Sequence, residues 1–176
     1  MGKVAVLYQS RYGTAKQYAE WIAEETGGTL FPIPKVALAD LEGYDTIIIG
    51  GGIYASRILG MTFLAKNFAR LSGKKLIAFS VGASFGSKKN TDEIRNRNLT
   101  PEMQKTVRYF HLRGGLFYSK MGKLDRAGMK MLIAMLKKKP EDQWDDDTRG
   151  LVETYGKDTS FLDRATIAPI LAAAQD

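Results

Sequence analysis

Short apolar runs alternate along this chain with longer amphipathic segments. The runs are rich in β-branched residues and occupy 3–8 (KVAVLY), 29–34 (TLFPIP), 46–52 (TIIIGGG) and 75–82 (KLIAFSVG). Continuous apolar runs of this length are typical of strands that are buried on both faces of a sheet. The alternation therefore predicts a parallel sheet with helices on both sides.

The second half of the chain adds a fifth strand and an insertion. The weaker run 108–118 (RYFHLRGGLFY) predicts the last strand. We expect the helix before it to begin near Thr100, where a Thr-Pro pair resembles an N-cap and first helical position. The last helix is expected to begin at Ser160 or Asp163. The residues between the fifth strand and this helix exceed what a five-stranded domain needs, so we predict a helical insertion at about 119–152.

Composition limits the class of protein. The chain has 176 residues, 44% of them hydrophobic, which is enough for one domain (1–176) with a sizeable core. It has no cysteine, which excludes disulfides and thiolate metal sites, and we predict no metal site. Neither a signal peptide nor an apolar stretch of the roughly 20 residues that span a bilayer is visible. We therefore expect a cytoplasmic protein.

The net charge indicates an anionic partner. Lys and Arg number 26 against 19 Asp and Glu, which gives a formal charge of +7. Nucleic acid, a membrane surface and an anionic ligand all suit such a chain. Nucleic acid is the least favoured, because the sequence lacks a recognition motif and interleaved surface aromatics.

The turn between the first predicted strand and the first helix carries a loop of small and hydroxyl-bearing residues, 10–15 (SRYGTA). In a doubly wound sheet, ligands bind outside the carboxyl ends of the strands, where the strand order reverses. A triphosphate loop would need G-x-x-x-x-G-K-[ST] and a dinucleotide site G-x-G-x-x-G, and both patterns are absent. A receiver-type phosphoacceptor would need carboxylates where this chain has Gln9 and Gly50.

The loop instead offers hydroxyl and backbone N–H groups at the start of a helix. The free N–H groups and the positive dipole end of that helix favour a small dianion, and a monophosphate ester fits best. The alternative is a plain turn, in which Gly13 and Thr14 only begin the helix.

Three loops of the chain resemble those of one family. Residues 10–23 (SRYGTAKQYAEWIA) resemble the phosphate loop and first helix of the flavodoxin family, whose members bind flavin mononucleotide (FMN) without a covalent bond. Residues 47–58 (IIIGGGIYASRI) and 79–86 (FSVGASFG) resemble its second and third flavin loops. The resemblance implies a flavodoxin-like, doubly wound α/β fold with five parallel strands in the order 2-1-3-4-5, and FMN as the cofactor.

The resemblance also implies a set of cofactor contacts. The first loop would surround the phosphate, the glycines at 50–52 would let a flat ring approach the backbone, and Tyr54 would stack on that ring. A flexible strand end and a surface-filling tyrosine are the alternatives. The candidate cofactor-binding residues are Ser10, Arg11, Tyr12, Gly13, Thr14, Ala15, Gly51, Gly52, Ile53, Tyr54, Ser80, Val81, Gly82, Ala83 and Ser84. No catalytic side chain is assigned, because transfer to a flavin depends mainly on positioning.

Within the flavodoxin-like group, the chain looks most like the menaquinone-dependent protoporphyrinogen oxidases of haem synthesis. The insertion carries this likeness at Asp125, Arg126, Asp147, Thr148 and Arg149, whose roles are left unassigned. The resemblance implies an FMN-dependent oxidoreductase that takes electrons from a porphyrinogen-like substrate and passes them to a quinone. The alternative is a flavodoxin-type electron carrier between protein partners.

The segment 123–139 predicts a basic amphipathic helix. Its apolar stripe, framed by lysines, suits an anionic membrane at the inner face or a partner groove, and the alternative is a stripe packed on the domain. Its methionines would suit a large flat substrate or core packing equally. Loose candidates for binding the porphyrinogen carboxylates are Arg57, Arg113, Lys120 and Arg126. The lone His111 is expected to be structural.

Overall fold

The computed structural model describes residues 2–176 of the protein. In chain order its strands and helices are β1 (Val4–Gln9), α1 (Thr14–Thr26), β2 (Thr29–Pro32), β3 (Thr46–Tyr54), β4 (Arg57–Ile58), α2 (Met61–Leu71), β5 (Lys75–Gly82), α3 (Lys88–Asn98), α4 (Met103–Thr106), β6 (Arg108–Arg113), β7 (Gly115–Leu116), α5 (Lys123–Leu136), α6 (Asp146–Glu153), β8 (Thr159–Ser160) and α7 (Ala168–Gln175).

The central sheet has five parallel strands in the order β2-β1-β3-β5-β6. Counting only these long strands, this is the predicted order 2-1-3-4-5, so the predicted flavodoxin-like α/β fold is confirmed. β4 adds an antiparallel partner to the end of β3. The carboxyl ends of β1 and β3 lie side by side at the centre, where the strand order reverses.

Helices cover both faces of the sheet. Ile48 packs with Tyr18 of α1 and Ile170 of α7 on one face. Its neighbours Ile47 and Ile49 pack on the opposite face, in the same cluster as α2 and α3. Successive strand residues point to opposite faces, and both faces are buried here, which is why the β3 sequence is a continuous isoleucine run. Burial of each such side chain contributes about 1.5–3 kcal/mol.

Two helices precede β6, where one was predicted. The short α4 begins at Met103, whose N–H donates a hydrogen bond of 3.2 Å to Thr100 Oγ1, so a helix does begin near Thr100. The longer α3, which ends at Asn98, was not predicted. α3 buries Ile94 and is otherwise polar, so it has no apolar periodicity to detect. Thr100 precedes a proline, which disfavours helical backbone at that residue and keeps α3 and α4 apart.

The last helix also begins later than predicted. The Asp163 carboxylate accepts a hydrogen bond of 2.9 Å from the Ala165 N–H and caps a 3₁₀ turn, Arg164–Ile167. This turn leads into α7, whose first residue is Ala168. Asp163 is therefore a cap, but of the turn that precedes the helix.

The insertion is closed at its base by strands β7 and β8, which pair antiparallel. It contains α5, as predicted, and also a second helix, α6. Tyr118 and Met121 of the insertion pack with Tyr12 and Ala83, which follow β1 and β5. The insertion thus lies over the carboxyl ends of the sheet. No helix among residues 2–176 has the length and apolar character needed to cross a bilayer.

Candidate functional site

A cleft of about 600 Å³ opens at the carboxyl ends of β1, β3 and β5, with α5 along its far side. Sites for small molecules commonly have about 300–1,000 Å³. The sequence-predicted residues that line this cleft are Ser10, Arg11, Tyr12, Thr14, Gly52, Ile53, Tyr54, Val81, Gly82, Ala83 and Ser84. The other predicted residues, Gly13, Ala15, Gly51 and Ser80, do not line it.

The first loop presents the amino-terminal end of α1. Gly13 has a left-handed backbone (φ 98°), and its N–H donates a 3.0 Å hydrogen bond to Ser10 Oγ. The first N–H groups of α1, from Thr14 onward, have no acceptor within the helix and carry its positive dipole end. No acidic residue occupies this first turn. The loop therefore has the donors and the polarity that a phosphate group requires.

Two of the three glycines in the second loop make room for protein rather than for a ligand. A Cβ on Gly50 would collide with the Phe79 ring, and one on Gly51 would collide with the Leu59 carbonyl oxygen. At Gly50 and Gly51 the missing Cβ is thus required by neighbouring protein atoms. A Cβ on Gly52 would meet nothing within 4 Å, and this glycine opens into the cleft.

Tyr54 is presented by a strained two-residue turn. Ala55 and Ser56 both have left-handed backbones, with φ of 48° and 63°, and Tyr54 pairs with Arg57 across them. This is the geometry of a type I′ hairpin, which normally needs Asn or Gly at these positions. The turn leaves the Tyr54 ring 42% exposed at the edge of the cleft.

The third loop lines the cleft from Val81 onward, but Ser80 does not reach it. The Ser80 hydroxyl is fully buried and hydrogen-bonds to Tyr109 Oη at 2.6 Å and His111 Nδ1 at 2.9 Å. Burial lowers the pKa of His111 and raises that of Tyr109, so both side chains are neutral at pH 7. These contacts join β5 to β6, and His111 has a structural role.

Asp125 of α5 is bonded to residues from two of the three loops. Its Oδ2 accepts hydrogen bonds from Tyr12 Oη at 2.6 Å and Arg11 Nη2 at 2.7 Å, and its Oδ1 accepts one from Tyr54 Oη at 3.0 Å. The carboxylate is only 6% exposed. The bond from Tyr12, followed by those from Tyr54 and Arg11, lowers the pKa of Asp125, so it is ionised at neutral pH.

The remaining residues of the insertion pattern hold the insertion together. Asp147 accepts hydrogen bonds from the Phe85 N–H and from Asn90 Nδ2, which attaches α6 to the third loop. Arg126 donates to the Tyr118 carbonyl at 2.9 Å and Arg149 to the Glu141 carbonyl at 3.3 Å. The Thr148 N–H donates at 2.8 Å to Asp145, the N-cap of α6.

None of the four basic residues suggested for carboxylate recognition lines the cleft. The Arg113 guanidinium is stacked between the rings of Phe85 and Phe161, at 3.6 and 3.5 Å from their centroids, and burial lowers its pKa. Among the described residues that line the cleft, Arg11 is the only cation. Its guanidinium lies 4.4 Å from the centroid of the Tyr54 ring.

The far side of the cleft is largely apolar, and it includes Met129, one of the methionines that the sequence suggested for a large flat substrate. Its residues come from α3, β7 and the insertion, so their sequence positions carry no common signal. The lining residues outside the predicted cofactor-binding set are Ala55, Ser56, Leu59, Asn90, Ile94, Gly115, Leu116, Met121, Leu124, Asp125, Gly128, Met129, Leu132 and Leu151. The spacing of Leu124, Gly128 and Leu132 by four residues shows that one face of α5 borders the cleft.

The fold is a doubly wound parallel sheet. A ligand-sized cleft lies at its switch point, next to a loop of hydroxyl and N–H donors. These features together define a flavodoxin-like α/β protein. Residues 5–143 match the family model described as flavodoxin domain. Because this match covers most of the chain, the chain belongs to the flavodoxin domain family.

Comparison with curated proteins gives no match. Solved structures similar to this chain include a flavodoxin from the domain Archaea, with 16% identity, coverage of 73% of this chain and 95% of that chain, and a TM-score of 0.41. A flavoprotein in complex with FMN from Lactobacillus acidophilus NCFM has 15% identity, coverage of 64% and 93%, and a TM-score of 0.44. A flavodoxin, WrbA-like protein from Agrobacterium tumefaciens has 20% identity, coverage of 64% and 84%, and a TM-score of 0.43.

Membership of this family implies FMN as the cofactor, and the residues of the cleft fit it. The start of α1 offers N–H donors for a phosphate, the backbone at Gly52 is open to a flat ring, and the cleft has the volume of a small-molecule site. Among the described residues that line the cleft, Asp125 is the one anion, and Arg11 neutralises it.

Proposed function

We propose that this protein is an FMN-dependent oxidoreductase that oxidises a porphyrinogen-like substrate and passes the electrons to a quinone. Ser10, Thr14 and the first N–H groups of α1 would hold the phosphate. Residues 52–54 and 81–84 would line the ring. FMN supplies the redox chemistry when bound, while the chain binds, orients and shields the reactants. Each pair of hydrogen atoms removed from the substrate reduces one quinone to its quinol.

The observation that carries this proposal is the apolar side of the cleft that α5 contributes. Leu124, Met129 and Leu132 face the cleft opposite the second and third loops, together with Met121. An electron carrier needs a flavin edge that is open to protein partners. A second, apolar wall instead makes a compartment for a flat, largely apolar molecule, and methionine side chains adapt well to such shapes.

The position of Arg11 supports an anionic substrate. Its side chain is 45% exposed and lies at the cleft. A porphyrinogen carries carboxylates, which a guanidinium recognises through paired hydrogen bonds. We infer that Arg11, held by Asp125, takes the recognition role that sequence reasoning gave to four other basic residues.

The test is an anaerobic turnover experiment with FMN-loaded protein. We expect protoporphyrinogen to bleach the flavin absorbance, a soluble menaquinone analogue to restore it, and porphyrin fluorescence to rise with enzyme concentration. Leu132→Gln should raise the KM for porphyrinogen while leaving the flavin spectrum unchanged. Lys66→Gln, on the exposed surface of α2, is the matched control. Bound flavin without porphyrin formation above the enzyme-free rate would contradict the proposal and favour a carrier.

A further inference from the structure

The helix α5 carries an exposed apolar face. Leu124 is 88% exposed, Met131 65% and Met135 59%, and Leu132 beside them is 40% exposed. Only Ile133 of this helix is buried. These four exposed residues, here termed the α5 face, follow helical spacing and form one stripe. Part of the predicted apolar stripe thus lies in solvent, whereas the alternative had it packed on the domain.

Cations surround the α5 face at both ends and along one side. The exposed lysines are Lys123, Lys130, Lys137, Lys138 and Lys139. None of the ion pairs formed among residues 2–176 involves them. The one acidic residue of the helix, Asp125, is turned inward to the cleft and bonded there. The face is therefore apolar at its centre and positive at its border.

The α5 face is continuous with the mouth of the cleft. Leu124 and Leu132 belong both to the exposed stripe and to the cleft lining. Any surface that covers α5 would therefore lie against the entrance to the cleft.

We propose that the α5 face docks on an anionic phospholipid surface. Apolar side chains of an amphipathic helix enter the boundary between headgroups and acyl chains, and its lysines remain at the headgroups. Each lysine near such a surface strengthens binding by about fivefold. A second copy of this face is a poor occupant. A two-fold pairing of α5 would set Lys123 of one copy near Lys137–Lys139 of the other, with like charges opposed.

Docking through the α5 face would determine how a quinone reaches the cleft. With α5 on the bilayer, the mouth of the cleft opens at the membrane surface, where an isoprenoid quinone resides. This consequence rests on the proposed function, whereas docking itself depends only on the α5 face and its lysines.

The test is sedimentation of the FMN-loaded protein with phosphatidylcholine vesicles, with and without phosphatidylglycerol. We expect binding only to the anionic vesicles, with loss at high salt. We expect a triple variant, Lys130→Glu with Lys137→Glu and Lys138→Glu, to have a lower partition coefficient. Because each lysine contributes about fivefold or more, the decrease should be at least about a hundredfold. Met131→Gln with Met135→Gln should lower it while the net charge stays the same.

Two controls separate the possible outcomes. Lys35→Glu with Lys66→Glu and Lys105→Glu makes the same change in charge on other exposed positions, and it should retain most of the binding. Thermal unfolding verifies that each variant is folded. The docking proposal would be overturned by an equal loss of vesicle binding in both triple lysine variants. It would also be overturned if the wild type did not bind anionic vesicles, or if the protein formed a dimer that the methionine variant dissociates. Porphyrinogen turnover in detergent solution tests the proposed function separately, since it needs no vesicle.

Discussion

Tyr12 donates a hydrogen bond of 2.6 Å to Asp125, and so joins the first loop to a helix 113 residues further along the chain. The same carboxylate accepts from Tyr54 in the second loop. One side chain of the insertion therefore fixes the position of two loops that border the cleft. The insertion helix and the cofactor loops therefore form one structural unit, so a substitution in one should alter the position or stability of the other.

Asp125→Asn should loosen this unit in a pH-dependent way. The bonds from Tyr12, Tyr54 and Arg11 hold the pKa of Asp125 below its ordinary value, so the ionised form stabilises the fold. A depressed carboxyl pKa adds stability that is full above the unfolded value, about 3.9, and is lost as the pH falls through the folded value. The variant should thus be less stable than the wild type at pH 7, and the difference should shrink below about pH 4.

The measurement is urea unfolding of both proteins across this pH range, together with hydrogen exchange in α5. Asp142→Asn, an exposed position of the same insertion, serves as the control and should show no such trend. A stability difference between wild type and Asp125→Asn that stays constant as the pH is lowered would contradict the assigned role.

Gly51 and Gly52 should respond to substitution in opposite ways. Gly52→Val adds a side chain where a Cβ meets no atom within 4 Å, so folding should be little affected. The same side chain projects into the cleft and should weaken FMN binding by about tenfold or more, equal to about 1.4 kcal/mol. Gly51→Ala collides with the Leu59 carbonyl and should cost about 1–3 kcal/mol of unfolding free energy. Flavin fluorescence titration and denaturant unfolding separate the two effects.

The strands could be predicted from the sequence because their signal is local. A run such as Ile47–Ile49 carries its own evidence of burial, and the parallel order follows from its alternation with helices. α3 was missed because it is polar apart from Ile94, and its start depends on the Ser87 cap rather than on an apolar pattern.

The site was harder to predict, because its contacts are distant in sequence. Gly51 must lack a Cβ because the Leu59 carbonyl, which follows β4, lies against it. The hydrogen-bond partners of Asp125 lie 71 to 114 residues away in the sequence. The three loops could be located, since each follows an apolar run. Which of their residues face the cleft depends on how the strands pair, and Ser80 is an example, since its buried hydroxyl bonds to Tyr109 on the neighbouring strand β6.

Tyr54 should contribute to FMN binding through its ring rather than its hydroxyl. Stacking of aromatic rings contributes about 0.5–1.5 kcal/mol beyond burial, so Tyr54→Ala should weaken FMN binding by about two- to tenfold. Tyr54→Phe keeps the ring and loses only the 3.0 Å bond to Asp125. Its affinity should stay close to that of the wild type. If the Phe and Ala variants lose the same affinity in a fluorescence titration, the ring has no stacking role.

The turn after Tyr54 should be improved by glycine. Ser56 has a φ of 63°, and a left-handed backbone costs an ordinary residue about 1–2 kcal/mol. Ser56→Gly should therefore raise the free energy of unfolding by up to about 1 kcal/mol, after the entropy cost of glycine. Ser72→Gly is the matched control, because Ser72 has a φ of −63° and should gain nothing. Denaturant unfolding of the two variants measures this difference. Equal changes in the free energy of unfolding would show that the left-handed backbone at Ser56 is not strained.

The electrostatics of the flavin should be set by Asp125 and Arg11 more than by the formal charge of +7. Most of that charge lies on exposed lysines, and exposed charges beyond about 10 Å are screened at ordinary salt. The buried carboxylate is screened much less.

Asp125→Asn leaves Arg11 without its ion partner, so the cleft becomes more positive by one charge. Because reduction adds negative charge, the flavin should then be easier to reduce, with a higher midpoint potential. A spectroelectrochemical titration checks this, with Lys66→Gln as the remote control. An unchanged or lowered potential in Asp125→Asn would show that the carboxylate does not act on the bound flavin.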